Sequence, residues 1–339
     1  MPIKSPVNRS HRGSERRGRR RARALLVTAA LASGAVLGAG ALAGSAAASS
    51  SYHFLTLNNN TDPTFNQLLG INLDGVIAGY FGSGAQGHPN KGYLLYPPYG
   101  QSSYVNENFP GSVQTQVTGL NNLGVSVGFY SRQNNANNAN ENDAFYVIRN
   151  HPFHTVRFPT NNNSNPPVNQ LLGVNDGLIA VGFYTDSAGN SHAYRYNIGN
   201  HRFHAIKLPG KVTSSTATGI NNRGDIAGFA IVDGVTEAFL LRSNGHFKAL
   251  KDPAPGTTAT NAFGVNNQDE VVGFYTVGTG SAALTHGFTW TPQHGFTTVD
   301  DPNGIGATTI NGVNDFGELV GFYTDGAGNT DGMLATPTS

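Results

Sequence analysis

Cysteine is absent from this 339-residue chain. That excludes a disulfide framework, a thiolate nucleophile and a cysteine-ligated metal. No Gly-x-Ser-x-Gly, His-Glu-x-x-His or phosphate-binding glycine loop occurs either, so the usual marks of serine hydrolases, zinc peptidases and P-loop enzymes are missing. Tryptophan occurs once. Trp290 sits where Leu95, Val147, Tyr196 and Leu241 sit in the repeats described below, so it reads as core rather than as a sugar platform. Nothing in the composition calls for a metal or a cofactor, and none is expected.

One long apolar run is present, and it stands at the N-terminus. Arg16, Arg17, Arg19, Arg20, Arg21 and Arg23 precede an Ala/Leu/Gly-rich stretch from Ala24 to about Ala43. Ala46, Ala47 and Ala48 follow. A charged segment, an apolar segment and then small residues is the order of a secretory signal peptide. We expect residues 1–48 to be cleaved, by the Sec or twin-arginine route, leaving a single domain over residues 49–339 with no stable membrane span. Residues 1–48 hold 9 of the 21 Lys and Arg and 1 of the 20 Asp and Glu, so the mature chain carries a formal net charge near −7. An acidic exported chain gives no electrostatic reason to expect nucleic acid or an anionic membrane as partner.

The mature chain is dominated by a phrase that returns six times. It reads Gly70-Ile-Asn-Leu-Asp-Gly-Val-Ile-Ala-Gly-Tyr-Phe81 and recurs at 119–130, 173–184, 219–230, 264–275 and 312–323. The first glycines lie 49, 54, 46, 45 and 48 residues apart, while the two glycines inside each copy are always nine apart. A constant inner spacing with a variable period means one structural unit repeated, with insertions confined to loops.

Each unit contains four stretches with strand chemistry. One runs into the Gly-x-Asn, as in residues 114–121. The second carries the Val/Ile/Ala-Gly-Phe-Tyr pattern, as in residues 125–130. The third has a small residue and then an aromatic, as in Ala144-Phe145 and Ala193-Tyr194. The fourth alternates apolar and polar, as in residues 153–158 and 203–208. Aromatic and β-branched residues at period two, punctuated by Asn, Gly and Pro, mark strands and tight turns. Four antiparallel strands in 45–50 residues is the size of a β-propeller blade. The last unit stops after its third strand, whereas residues 52–57 form an orphan strand resembling a fourth. We therefore expect an all-β, six-bladed β-propeller, with four strands per blade, closed by the N-terminal strand completing the last blade.

The Gly-Val-Asn-Asn/Asp-x-Gly-x-Val-Val-Gly-Phe-Tyr phrase, with His192-Ala193-Tyr194 and His286-Gly287-Phe288 behind it, resembles the HAF-type extracellular repeat of secreted bacterial proteins. The resemblance covers roughly residues 52 to 335. It implies an extracellular location and a repeat architecture, and it brings no activity with it. Lys91, Asp143, Glu237 and Asp331 stand where that repeat has histidine, and Ala230 replaces its second aromatic.

Candidate functional residues follow from the order of strands. Innermost first strands would line the axis with Asn66, Gln67, Thr115, Asn169, Gln170, Thr216, Thr260, Asn261 and Thr308, as a narrow wetted channel. One face collects the long insertions at residues 82–90 and 131–142, the latter rich in asparagine. At the start of the third strand on that face stands one ionisable residue per blade: Lys91, Asp143, His192, Glu237, His286 and Asp331. At roughly 4.8 Å per strand these six are too far apart to share one metal, so they read as ligand-binding residues used singly with an adjacent loop, or as strand-end caps. No catalytic set stands out. Asp186 and Asp325 begin loops that read as hairpin turns. His151, His154, His201 and His204 flank fourth strands on the outside.

Taken together, the sequence describes a secreted monomer that binds or scaffolds an extracellular glycan or protein through its loop-bearing face. The rival reading is a hydrolase or lyase acting on a polysaccharide or small metabolite near the axis.

Overall fold

The structure, a computed structural model, describes residues 52–134, 140–149, 151–160 and 163–338. The expected signal peptide, residues 1–48, lies outside them, as do Asn135, Asn137 and Asn138 of the asparagine-rich loop.

The chain is all-β, and each repeat contributes strands in the order expected from its chemistry. First strands, which end in the Gly-x-Asn, are Asn66–Ile71, Gln114–Leu120, Asn169–Val174, Val212–Ile220, Thr257–Val265 and Thr308–Val313. Second strands, built on the aromatic pair, are Ile77–Phe81, Val125–Ser131, Ile179–Thr185, Ile226–Val232, Val271–Val277 and Leu319–Thr324. Third strands are Lys91–Leu95, Asp143–Ile148, Ser191–Asn197, Val235–Leu241, Leu284–Thr291 and Thr330–Pro337. Fourth strands are Tyr104–Asn106, His154–Val156, Arg202–Ala205, Phe247–Leu250 and Gly295–Thr298. The sixth unit takes its fourth strand from the other end of the chain. Tyr52–Thr56 lies antiparallel to Thr330–Pro337, in register from Tyr52 opposite Pro337 to Thr56 opposite Met333.

Four of the units are separate four-stranded sheets, of the size and order of propeller blades. Units four and five are joined into one eight-stranded sheet through a parallel pair, Thr236 opposite Ala259. The same parallel contact recurs as a single bridge at Asn142–Val168, Thr285–Ala307 and Thr330–Phe65.

Both glycines of the repeated phrase answer to close approach. A β-carbon on the second glycine, at Gly79, Gly128, Gly182, Gly228, Gly273 or Gly321, would stand 1.9–2.4 Å from a carbonyl oxygen of its own first strand. One on the first glycine would meet the Cα of the corresponding glycine in the next unit at 3.0–3.2 Å. These contacts run Gly70 to Gly119, Gly173, Gly219, Gly264 and Gly312, and from Gly312 back to Gly70. Backbones this close admit no side chain.

The asparagine two residues later links the units. In each copy its side-chain oxygen accepts from N–H groups of its own turn, as Asn72 Oδ1 does from Asp74 and Val76 at 3.1 and 2.9 Å. Its amide nitrogen donates to the carbonyl of the matching asparagine in the next unit: Asn72 to Asn121, Asn121 to Asn175, Asn175 to Asn221, Asn221 to Asn266, Asn266 to Asn314, and Asn314 to Asn72. The six bonds, 2.9–3.2 Å long, close on themselves.

The hydrophobic core lies between sheets rather than in one centre. The small residue ahead of the third-strand aromatic gives room to the next unit: a β-carbon on Gly92 would meet Val117 at 2.7 Å. The aromatic itself, Tyr93, Phe145, Tyr194, Phe239 or Phe288, is buried. Met333 takes that place in the last unit.

Replacing Asn175 by alanine removes the acceptor of the Ile179 N–H and one of the two donors to the Asn221 carbonyl, and should cost about 1–3 kcal/mol in urea unfolding. Asn200→Ala, at an exposed turn, should stay within about 0.5 kcal/mol.

Candidate functional site

The six ionisable positions occupy one structural place. Asp143, His192, His286 and Asp331 pair across the sheet with the second aromatic of the repeat, Tyr130, Tyr184, Tyr275 and Tyr323. Lys91 faces Phe81 and Glu237 faces Ala230 in the same register. The tyrosines reach outward: the hydroxyls of Tyr130, Tyr275 and Tyr323 meet Thr155, Thr298 and Thr56 of their fourth strands at 2.8–3.0 Å. Where the fourth strand has Ala249 instead of threonine, the second strand has Ala230 instead of tyrosine.

Five of these six side chains are engaged close to home. Asp143 is buried and gripped by the Arg157 guanidinium through two hydrogen bonds. His192 Nε2 lies 2.7 Å from Asp186 Oδ2, with its ring against Tyr184. His286 Nδ1 lies 2.7 Å from Asp300 Oδ2, with its ring against Tyr275. Asp331 accepts from the Asn58 amide at 2.6 Å. Lys91 Nζ donates to the Val113 carbonyl of the next unit at 2.9 Å. Glu237, the third residue of its strand, is half-buried. No hydrogen bond or ion pair among the described residues joins one of the six to another.

Asp186 is set by its turn. Its Oδ1 accepts from the N–H groups of Ala188 and Asn190, both at 2.9 Å. Burial pushes this carboxyl up, but His192 and these backbone donors outweigh it and hold it below the usual aspartate range. Asp325 makes the same turn with Ala327 and Asn329. Asp331 goes the other way, raised by burial. His286 is held above the usual histidine range by its hydrogen bond to Asp300, which outweighs its partial burial, and the charges of Asp300 and Asp252 add to the effect.

A third histidine–aspartate pair went unforeseen in the sequence. His88, in the 82–90 insertion of unit one, sets Nδ1 2.7 Å from Asp62 Oδ2. Asp62 lies 26 residues earlier, outside any repeated phrase, so sequence spacing carries no signal for it. The pair anchors the insertion beside the first strand.

The wetted channel expected along the first strands is replaced by dry, internally bonded polar groups. Asn66, Gln67, Thr115, Gln170, Thr216, Thr260 and Thr308 are at most 1% exposed. Thr115, Thr260 and Thr308 accept from the backbone N–H groups of Phe109, Asp252 and Asp301, so they tie down the chain arriving from the fourth strand. Asn66 and Asn169 amides donate to the carbonyls of Asp62 and Val156. Space on the axis is found instead at the turn end, a recess of about 100 Å3 whose rim is the asparagine ring with Asn122, Asp176, Asn222, Asn267 and Asp315.

On the loop face, amides gather where units one and two meet. Gln116 Nε2 donates to Asn90 Oδ1 at 3.0 Å, and Gln114 Nε2 to Asn134 Oδ1 at 2.8 Å. Gln170 repeats the contact one unit on, donating to Asn142 Oδ1 at 2.6 Å. The buried Oε1 atoms of Gln116 and Gln170 have no hydrogen-bond partner. The recess beside Gln116, about 30 Å3, has room for about one water molecule.

Trp290 is buried in a core cluster, with Lys248 Nζ 5.5 Å from its ring centre. His154 stacks on Tyr146, and His201 Nδ1 lies 2.9 Å from the Tyr196 hydroxyl. Among the described residues no three His, Asp or Glu side chains are grouped to hold a metal ion.

Neither a known protein family nor a curated protein sequence matches the chain. Among solved structures it is similar to a gluconolactonase from Xanthomonas campestris, with 10% identity and a TM-score of 0.47 over 84% of this chain and 90% of that one. It is also similar to a streptogramin B lyase, with 11% identity and a TM-score of 0.46 over 84% and 97%. A third is the Aleuria aurantia lectin, with 11% identity and a TM-score of 0.45 over 81% and 96%. These neighbours are β-propeller proteins. Their named activities differ from one another, and no chemistry is carried over from them.

The His286–Asp300 pair gives a pH test. A histidine raised in the folded state stabilises it fully below the unfolded value near 6.5, and that contribution is lost as pH rises through the folded value. Thermal melts should therefore show wild type losing stability relative to His286→Gln between pH 6 and 9. Parallel curves would mean the pair contributes nothing to folding.

Proposed function

We propose that this chain is a closed six-bladed β-propeller of the HAF-repeat type, exported through its N-terminal segment and working as a monomeric extracellular binding module. The closed asparagine ring and the N-terminal strand paired with the C-terminal one support the propeller. The ligand, a glycan or a protein, docks on the loop-bearing face where the insertions of units one and two meet.

The observation that carries the binding reading is the state of the ionisable residues. His192, His286, Asp143 and Asp331 are bonded within their own units, and the side chains that join units at the loop face are amides: Asn90, Asn142 and Gln114, buried, and Asn134, exposed, with the unpartnered acceptors of Gln116 and Gln170 beneath. Amides supply paired donors and acceptors suited to hydroxyl-rich or peptide ligands. General acid–base chemistry needs two titratable groups reaching one substrate. Each histidine–aspartate pair here instead closes on itself at a strand end.

Screening residues 49–339 on a glycan array, beside a variant with residues 131–142 shortened, tests this. Binding should fall at least tenfold in the variant. Unchanged binding removes that loop from the site, and turnover of a polysaccharide at neutral pH makes the chain an enzyme.

A further inference from the structure

One interface departs from the rest in two places that face each other. In units two to six, the residue after the one that pairs with the third-strand aromatic, or with Met333 in unit six, is aliphatic: Val156, Ile206, Leu250, Val299 and Leu57. The position is defined by its backbone, since Ile206, Val299 and Leu57 each donate N–H to the carbonyl of the small third-strand residue, Ala193, Gly287 and Gly332. In unit one the same bond, to Gly92 at 3.0 Å, is made by Glu107. The aliphatic residue packs against the next unit's second strand, two positions before its glycine. Val156 shares a core cluster with Ala180, Ile206 with Ile226, Leu250 with Val271, Val299 with Leu319, and Leu57 with Ile77. Facing Glu107, that position is Ser126, which is 2% exposed. Ser126 Oγ donates to Glu107 Oε1 at 2.9 Å.

Five interfaces thus hold an aliphatic pair where the first holds a carboxyl and a hydroxyl. Burying such a pair in place of well-packed aliphatics sacrifices stability. Two coupled departures from a repeat's own rule are where function is expected. Burial also pushes the Glu107 carboxyl above the usual range, with Ser126 acting against it.

The pair lines a cleft of about 540 Å3 between units one and two, opening on the face opposite the long insertions. That volume falls within the range of small-molecule sites, about 300–1,000 Å3. Leu94, Tyr96, Val105, Leu120, Val147 and Phe153 form its walls. Asp74, Arg149 and His151 also line it.

We propose that this cleft binds a small neutral saccharide of one or two rings, with Glu107 and Ser126 as the hydrogen-bonding pair for its hydroxyls. With the Ser126 proton given to Glu107 Oε1, the other carboxyl oxygen and the Ser126 Oγ lone pairs accept from the two hydroxyls of a vicinal diol. Apolar walls with two aromatic rings suit the C–H faces of a sugar. The charges bear on the alternatives: Asp74 and Glu107 oppose an anion, and Arg149 offsets their pull on a cation. This site is separate from the loop face, so shortening residues 131–142 leaves it intact.

The test is a titration of the mature protein, followed by methyl and aromatic NMR shifts, with cellobiose, N-acetylglucosamine, glucose 6-phosphate and putrescine. Neutral sugars should give saturable shifts in the wall residues. The double variant Glu107→Leu/Ser126→Val, which restores the repeat's aliphatic pair, should weaken sugar binding at least tenfold while its melting temperature stays level or rises. That second reading separates lost binding from lost folding. Absent sugar shifts, equal binding by the double variant, or binding of only the phosphate or the diamine each overturn the proposal.

Discussion

A single side-chain amide, used six times, holds this molecule together at its axis. The asparagine of each Gly-x-Asn must accept from its own turn and donate to the next unit at once, and asparagine offers an acceptor and a donor on one short, planar group. That double demand fixes the distance between neighbouring turns. The distance in turn forces glycine two residues earlier, where backbones of adjacent units touch. The same approach of first and second strands demands the later glycine. The repeated phrase is the set of residues that allows strands to crowd around an axis without side chains.

Much of this was legible before any coordinates. Constant glycine spacing, the hairpin turn and the orphan strand at residues 52–57 are local chemistry, and local chemistry is written in order along the chain. The pairing of Tyr52–Thr56 with Thr330–Pro337 could be read because a strand was missing at one end and spare at the other. The Asp186 and Asp325 turns were legible for the same reason, since Asp and Gly act within five residues. Other features were not. Asn66, Thr115 and Thr260 read as channel-lining because they are small and polar, yet they bind the backbone of the incoming loop. Only the path of that loop, which carries no pattern, decides the matter. The partners of Asp143 and His286, Arg157 and Asp300, lie across a third-to-fourth-strand turn whose register the sequence leaves open.

Glu107 shows a subtler limit. It stands just past the end of its strand, and its oddity exists only against the five aliphatic residues in equivalent places, which are aligned by backbone pairing rather than by a motif. Comparing each copy with its siblings is the signal that would have found it. Repeats thus serve two purposes here. Where the copies agree, they report packing; where they differ, they mark candidate chemistry, at the amides of the loop face and in the cleft between units one and two.

All of this depends on the proposed closure of the ring by strands from opposite ends of the chain. The absence of cysteine makes a clean test available. His53 and Thr336 stand directly opposite each other in that closing pair, one exposed and the other half-exposed. Opposed residues of this kind have Cα separations within the roughly 4.4–6.8 Å that a disulfide spans. With both replaced by cysteine, mild oxidation should give a monomer carrying an intramolecular disulfide, free of detectable thiol and with a raised melting temperature. Thiols that stay free, or that pair only between molecules, would contradict the closed ring.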